Sequence, residues 1–340
     1  MRRNLFLVLL LALAPRAPEH HFLYVAEPGI RNYVEYGGVG VLVYDIDAGY
    51  KFVRRIPSEA VPAGKDPENV KGIAASAATG RLYVTTIKRL MAFDLATDKK
   101  LWDKELEGGA DRLAVSPDGR TLYVPTLEGP LWTVVDAMTG EVRAKVVTKS
   151  GAHNTIWGPN GKEVYLAGLT SPLLRVADPS TNTVVKEIGP FANVIRPFTI
   201  NGSQTRVYVN VNDLLGFEVG DVKRHGCPSH GIALSPDEKE LWLSDGHNSA
   251  VHIFDMTPAV PKLVKTIKVR DQPGWITWSL DGKHVWPSTG EIIDAKTKAI
   301  VATLTDEAHR MVQSEKVVEV VFDGTTVVRT GDQFAMGQKR

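Results

Sequence analysis

Apolar and polar residues alternate in short segments along this chain, and the segments recur at a nearly constant spacing. One unit is an apolar strand, a turn of the form Ser-Pro-Asp-Gly, and a second strand resembling Leu-Tyr-Val. A period of two, interrupted by Pro, Asp and Gly, predicts a β-hairpin. Seven copies follow one another, at 72–84, 113–124, 155–168, 198–211, 232–245, 275–288 and 318–334.

A second hairpin follows most of these copies. Its first strand ends in Asp and its turn often reads Asp-x-x-Thr, as in MAFDLATDKK (91–100) and TVVDAMTGEV (133–142). Two hairpins give four antiparallel strands, which is the content of one propeller blade. Equivalent turn positions are 34 to 44 residues apart, a spacing typical of propellers. Helical repeats are disfavoured because no long apolar stretch has a 3.6-residue period.

The repeat therefore predicts an all-β fold, a single seven-bladed β-propeller domain over 21–334 with four-stranded antiparallel blades. The first unit has only three strands, in 21–28, 39–47 and 50–56. The segment 316–324 would supply its innermost strand, so that strands from both termini close the ring and remove exposed sheet edges. The short interval of 34 residues after Gln204 predicts that the outermost strand of the fifth blade is absent or very short.

The strands that follow the Ser-Pro-Asp-Gly turns resemble those of the YVTN-type seven-bladed propellers. The likeness is carried best by VSPDGRTLYV (115–124) and LSPDEKELWLSD (234–245), and it covers nearly all of 21–334. The resemblance implies the propeller fold. Similar propellers include exported proteins of unassigned role, lactonase-like propellers, and propellers that hold haem or quinone. The motif residues build strands and turns, and a fold does not imply a function.

The first 17 residues have the pattern of a secretory signal peptide. Arg2 and Arg3 precede an apolar run of ten residues from Leu5 to Ala14, and small residues follow. The run is too short to span a bilayer, which needs about 20 apolar residues. We predict a signal peptide at 1–17, a periplasmic or secreted location, and no transmembrane segment in the mature chain.

Composition narrows the range of partners. The 340 residues include 40 Lys and Arg and 39 Asp and Glu, which gives a net charge of +1. This balance argues against a nucleic-acid binder that relies on bulk positive charge. Cys227 is the only cysteine, so neither an internal disulfide nor a Cys-only metal site can form. We expect a neutral globular monomer that needs no cofactor.

The loops that enter the innermost strands would meet around one central mouth, on the face opposite the Ser-Pro-Asp-Gly turns. A concave mouth with convergent polar groups is the usual ligand site. Its excess of cations suggests an anionic small molecule or an acidic side chain of a protein partner. The alternative is that these residues only cap the channel. The predicted ligand-binding residues are Lys71, Arg112, His153, Asn154, Arg196, His230, Trp275 and Lys316.

A metal site is a second hypothesis. His225, Cys227 and His230 offer one thiolate and two imidazoles, which suit Cu or Zn. Pro228 and the tight spacing make it awkward for all three to bind one ion. A turn that carries a buried cysteine is the alternative.

A lactonase-like hydrolase or isomerase at the same mouth is a third hypothesis. It would use His153 or His230 as the base, and Arg112 or Arg196 to stabilise an oxyanion. No G-x-S-x-G elbow is present, so a triad of the α/β-hydrolase type is unsupported. The leading interpretation is therefore an exported binding or scaffold protein.

Overall fold

The computed structural model describes residues 18–213 and 229–338. The predicted signal peptide, His225, Cys227 and the end of the predicted fifth blade lie outside the described residues. Within them the chain forms 27 β-strands and one short 3₁₀ helix, η1 (Val34–Tyr36), and no α-helix. None of the described residues belongs to a helix long and apolar enough to cross a membrane.

The strands form seven antiparallel sheets, numbered here in chain order. Sheet 1 combines both ends of the chain: β1 (His20–Glu27), β2 (Gly40–Asp45), β3 (Lys51–Ile56), β26 (Val317–Asp323) and β27 (Thr326–Thr330). Their order across the sheet is β27-β26-β1-β2-β3.

Sheets 2 to 4 are four-stranded meanders, in which each strand pairs with the next one along the chain. Sheet 2 contains β4 (Val70–Ser76), β5 (Arg81–Thr86), β6 (Arg89–Asp94) and β7 (Lys100–Glu105). Sheet 3 contains β8 (Ala114–Val115), β9 (Thr121–Pro125), β10 (Leu131–Asp136) and β11 (Val142–Val147). Sheet 4 contains β12 (Ala152–Trp157), β13 (Val164–Gly168), β14 (Leu174–Asp178) and β15 (Thr183–Ile188).

Sheets 6 and 7 repeat this meander, whereas sheet 5 has two strands in the described part of the chain. Sheet 5 contains β16 (Ile195–Ile200) and β17 (Val207–Val211). Sheet 6 contains β18 (Ile232–Leu234), β19 (Glu240–Asp245), β20 (Ala250–Asp255) and β21 (Lys262–Lys268). Sheet 7 contains β22 (Ile276–Trp278), β23 (His284–Pro287), β24 (Glu291–Asp294) and β25 (Ile300–Thr303). The predicted loss of an outer strand from the fifth blade stays untested, because 214–228 lies outside the described residues.

The repeated turn motifs satisfy their own backbone donors. In the first hairpin of sheet 3, Ser116 Oγ donates to Asp118 Oδ1 at 2.5 Å and accepts a hydrogen bond from the backbone N–H of Thr121. In the second hairpin of sheet 2, Asp94 Oδ1 accepts from the backbone N–H and the hydroxyl of Thr97. Such side-chain to backbone bonds stabilise tight turns, which explains why Ser-Pro-Asp-Gly and Asp-x-x-Thr recur.

Apolar side chains on the sheet faces join each sheet to its neighbours. Seven clusters of buried residues lie between successive sheets, and one of them joins sheet 7 to sheet 1. Within the described residues, members of one cluster that come from two different sheets are Tyr24 and Leu82, Leu90 and Leu122, Trp132 and Leu166, Val176 and Phe198, Tyr208 and Leu234, Trp242 and Trp278, and Trp286 and Tyr44.

The two ends of the chain pair directly in sheet 1, where Tyr24 of β1 lies opposite Val318 of β26. The prediction of four strands for this unit is wrong, because the sheet has five. The cause is the turn at Gly324, whose positive φ of 60° returns the chain so that β27 adds to the free edge of β26.

Residues 331–338, here called the C-terminal segment, cross the innermost strands of several sheets. Phe334 is buried and its ring contacts Phe198 and Trp275. The Gln333 side chain donates to the carbonyl of Leu113, and the Trp275 indole donates to the Gln333 carbonyl. The end of the chain is therefore bonded to sheets that are far from it in sequence.

Candidate functional site

Arg112 is the centre of a buried polar network at the predicted mouth. Its side chain is only 2% exposed. Nη2 donates to Glu315 Oε2 at 2.5 Å, and Nη1 lies 3.2 Å from His153 Nε2. The guanidinium carbon lies 4.3 Å from the ring centroid of Trp275, which is within cation–π distance. Arg112, which precedes β8, thus contacts one residue in sheet 4 and two residues that shortly precede the first strand of sheet 7 and β26 of sheet 1.

The contact with Arg112 determines the tautomer of His153. Arginine has no hydrogen-bond acceptor, so Nε2 of His153 must accept and Nδ1 must carry the proton. Nδ1 therefore donates to Asp111 Oδ2 at 2.6 Å. Burial lowers the pKa of His153 and outweighs the Asp111 carboxylate, which acts to raise it. Arg112 and Lys71 lower this pKa further, so the ring is neutral near pH 7.

Asp111 is the acidic partner of this histidine, and its side chain is completely buried. Burial alone would raise the pKa of Asp111, but His153, Lys71 and Arg112 together lower it to about 2. Lys71 Nζ lies 3.7 Å from Asp111 Oδ2, and the Lys71 side chain keeps 16% of its surface exposed. Lys71 is therefore the cation of the network that solvent and ligands can reach.

Glu315 is a site residue that the sequence interpretation missed. Besides Arg112, it accepts a hydrogen bond from Lys316 Nζ at 2.8 Å, and Lys316 also donates to the carbonyl of Gly29. Burial lowers the pKa of Lys316 to about 8. The available signal was the position of Glu315 beside Lys316 in the same entry loop. Glu315 and Asp111 compensate much of the cationic excess on which the anion prediction depended.

His230 and Trp275 lie together on the other side of the network. Nδ1 of His230 donates to the carbonyl of Gly274 at 2.7 Å, and its ring meets Trp275 edge to face at a centroid distance of 6.1 Å. Arg196, in β16, instead donates to Asn212 Oδ1 at 2.6 Å. In the described residues no hydrogen bond or ion pair joins Arg196 to the Arg112 network.

Asn154, in β12, is the least satisfied residue of the site. It is fully buried, and neither Oδ1 nor Nδ2 has a hydrogen-bond partner within the described part of the chain. The same holds for Nε of Arg112, and the backbones of the two residues form a β-bridge. Buried polar atoms without a partner cost about 1–3 kcal/mol each, and water or a ligand usually satisfies them.

The proposed metal ligands cannot be brought together from the described residues, because His225 and Cys227 lie outside them. A different group, His20, Asp45 and Asp47, has donor atoms within 4.8 Å of one another. His20 Nε2 already lies 3.0 Å from Asp45 Oδ2, and the group is largely exposed. An ordinary hydrogen bond accounts for this arrangement.

Cavities lie on the opposite face of the molecule, among the Ser-Pro-Asp-Gly turns. One of about 530 Å³ is bordered by the innermost hairpin turns and the C-terminal segment. Another of about 620 Å³ lies between the turns of sheets 6 and 7. None of the eight predicted mouth residues lines either cavity. These two cavities therefore belong to the turn face and not to the Arg112 network.

The structure is similar to solved β-propellers. It superimposes on a chain of Kuenenia stuttgartiensis hydrazine synthase with a TM-score of 0.60 and 15% identity, covering 78% of this chain and 89% of that chain. It superimposes on the Cps50 (Swd1) β-propeller domain of Myceliophteria thermophila with a TM-score of 0.59 and 12% identity, covering 78% of this chain and 90% of that chain. At these identities the similarities show the β-propeller fold alone. No family model and no curated protein sequence matches the chain.

Proposed function

We propose that this protein is an exported seven-bladed propeller of the YVTN type that acts as a binding or scaffold protein. Its ligand, a small anion or an acidic side chain of a partner, would be held at the mouth around Arg112. The seven-bladed, closed arrangement is supported by the packing of sheet 7 against sheet 1 and by the β1–β26 ladder. The YVTN-like hairpins and the apolar leader at 1–17 support the family and export.

One observation carries the binding proposal. Within the described residues, both amide atoms of Asn154 and Nε of Arg112 lack a hydrogen-bond partner, although the neighbouring charged groups are paired and the backbones of the two residues form a β-bridge. An oxyanion could accept from Arg112 Nε–H and Asn154 Nδ2–H at once, because both are donors. A small rearrangement of these buried side chains would admit it. Binding would thus provide an acceptor for the two N–H donors that have no partner in the described residues.

The charge of the network favours a singly charged ligand. Among the residues that the structure describes, the cations of the network exceed its carboxylates by one near pH 7, since His153 is neutral. A monoanion would neutralise this excess, whereas a dianion would leave a negative charge in a buried site, which is costly. The charged members are Lys71, Arg112, Lys316, Asp111 and Glu315.

The geometry favours binding over catalysis at this mouth. A general base needs a lone pair within reach of a substrate proton. Both ring nitrogens of His153 are engaged, one with Asp111 and the other with Arg112. The lactonase-like alternative would therefore have to break this arrangement before His153 could take a proton.

The binding proposal is tested by thermal unfolding of the protein without residues 1–17, in the presence of lactate, succinate or inorganic phosphate. A ligand of the native state raises Tm by mass action. We expect lactate to give the largest increase, and we expect the increase to disappear in Asn154→Ala and to shrink in Lys71→Ala. Lys283→Ala is the matched control, since Lys283 is an exposed lysine paired with Asp281 on the turn face. Equal Tm increases in the wild type and the three variants, or no increase in any of these proteins, would overturn the proposal.

A bound Cu or Zn ion is a second proposal, favoured by the orientation of His230. The bond from Nδ1 to the Gly274 carbonyl places the lone pair of the neutral ring on Nε2, as in many metal-ligating histidines. His225 and Cys227 would complete the ligand set. Elemental mass spectrometry of the untagged protein tests it. Near-stoichiometric metal that is lost in Cys227→Ser would support the site, and a metal-free folded protein would exclude it.

Export is tested by cell fractionation. The full-length chain should appear outside the cytoplasm with its leader removed, and a chain that starts at residue 18 should remain inside. Retention of both in the same compartment would contradict export.

A further inference from the structure

The cavity of about 530 Å³ on the turn face, here called the turn-face cavity, has the size of a small-molecule site. Its walls come from the innermost turns of several sheets and from the C-terminal segment. About half of the lining residues are apolar, and Trp157 is the aromatic one. The apolar lining residues are Ala75, Ala77, Ala78, Val115, Pro117, Trp157, Pro159, Leu280 and Met336.

Two charged side chains, Arg329 and Asp332, line the turn-face cavity. Arg329 forms an ion pair with Glu19. Asp332 Oδ1 accepts a hydrogen bond from the backbone N–H of Phe334 at 2.7 Å. Among the residues that the structure describes, no Lys, Arg or His forms an ion pair with Asp332. The cavity thus carries a carboxylate that lacks a counter-cation of its own.

Partial burial removes this carboxylate from much of its hydrating water. It raises the pKa of Asp332, against the effect of the backbone N–H groups of Phe334, Met336 and Ala335. A carboxylate in an apolar wall is stabilised by a cation that brings its own hydrogen-bond donors. An ammonium group meets that requirement.

The C-terminal segment separates the turn-face cavity from the mouth. Gln333 bonds to the carbonyl of Leu113 and, through its own carbonyl, to the Trp275 indole. Thr199 and Leu234 both donate to the carbonyl of Ala335. A molecule in the cavity therefore meets this segment and not the Arg112 network.

We propose that the turn-face cavity binds a small primary amine with an apolar body. Its ammonium group donates to Asp332, and its body packs against Trp157 and the surrounding alanine and proline side chains. This site is separate from the mouth and goes beyond the function proposed above.

Calorimetric titration with 2-phenylethylamine and its neutral counterpart 2-phenylethanol, at pH 7.5, tests the proposal. We expect the amine to bind about tenfold more tightly than the alcohol, because a charge-assisted hydrogen bond is added. In Asp332→Asn this preference should vanish while the protein stays folded, since the Asn oxygen can still accept from Phe334. Equal affinity for both compounds in the wild-type protein, or an unchanged preference in Asp332→Asn, would overturn the proposal.

A second variant tests the location without changing any charge. Ala78 is exposed at the rim of the cavity, so Ala78→Trp should narrow it without disturbing the core. We expect a loss of amine binding of about tenfold or more in this variant. The matched control is Ala96→Trp, at an exposed turn alanine outside the cavity, which should bind as the wild type does. Undiminished binding in Ala78→Trp would place the amine elsewhere and reject the site.

Lys71→Ala at the mouth should leave amine binding unchanged, so a failed anion site and a failed amine site give different results.

Discussion

Nη1 of Arg112 lies 3.2 Å from Nε2 of His153, and this contact exists only while the imidazole is neutral. Protonation would bring two N–H donors and two positive charges together in a buried place. The Nδ1–H group would still donate to Asp111. The contact that would be lost is the one between Nε2 and Arg112. The network at the mouth therefore depends on pH through the protonation of Nε2 of His153.

Stability should depend on pH through His153. Its pKa is lowered in the folded protein from the usual 6.5, so the unfolded chain takes up the proton first as the pH falls. The stabilisation is complete above about pH 6.5 and is lost below it, by up to about 1.4 kcal/mol per pH unit. Urea unfolding between pH 5 and pH 8 measures this slope.

The variant His153→Gln isolates that effect. Glutamine can donate to Asp111 and accept from Arg112, but it does not titrate. We expect the difference in unfolding free energy between wild type and variant to shrink below about pH 6.5. His309→Gln, at an exposed histidine, is the control and should follow the wild type. A constant difference between wild type and His153→Gln across this range would show that His153 does not titrate as described.

Lys316 should make the protein more stable as the pH rises. Its pKa is lowered by burial from 10.5 to about 8, so the folded protein releases this proton earlier than the unfolded chain does. Stability relative to Lys316→Met should therefore increase between pH 8 and pH 10.5, by about 3 kcal/mol in total. The measurement is denaturant unfolding of both proteins across this range. Lys283→Met, at an exposed lysine, should show no comparable increase.

Phe334 should contribute strongly to stability although it lies six residues from the end of the chain. It is buried between Phe198 and Trp275. We expect Phe334→Ala to lower the unfolding free energy by about 3–5 kcal/mol. Met311→Ala, at an exposed methionine, should change it little. An effect of Phe334→Ala as small as that of the control would mean that the C-terminal segment is not docked in solution.

The side chain of Asn154 should lower the stability of the ligand-free protein and contribute to ligand binding. Its buried amide has no partner among the residues that the structure describes, so an apolar residue of similar shape should be better tolerated there than the amide itself. We expect Asn154→Leu to raise the unfolding free energy by about 1–3 kcal/mol and to abolish the Tm increase with lactate. Thermal unfolding with and without lactate measures both effects. A destabilised variant would indicate that ordered water already satisfies Asn154.

The strands and turns could be predicted because their determinants are local. Alternation sets the strands, and the side chains of Ser116 and Asp94 close the turns in which they stand. The pairing of β1 with β26 could be anticipated because an open sheet edge is unfavourable. The convergence of the entry loops followed from the propeller topology, which places Lys71, Arg112 and His153 at the same end of their strands.

The pairing of charges inside the mouth could not be predicted in the same way. Which carboxylate meets Arg112 depends on side-chain directions across two different sheets, and the sequence does not show them. Glu315 was therefore overlooked. Arg196 was predicted to lie at the mouth, and in the described residues it donates to Asn212 and forms no bond with the Arg112 network. The docking of the C-terminal segment was missed for a similar reason. Its signal was the apolar pair Phe334 and Met336 in an otherwise polar end of the chain.

The pairing of Tyr24 with Val318 also constrains how the protein is made. The ribosome releases β1 at the start of translation and its partner β26 only near the end. Until then, sheet 1 lacks two of its strands and the inner edge of β1 stays open to other chains. A chain that is interrupted anywhere before β26 would carry this edge permanently. Premature termination should therefore yield products prone to aggregation, whatever number of complete sheets they contain.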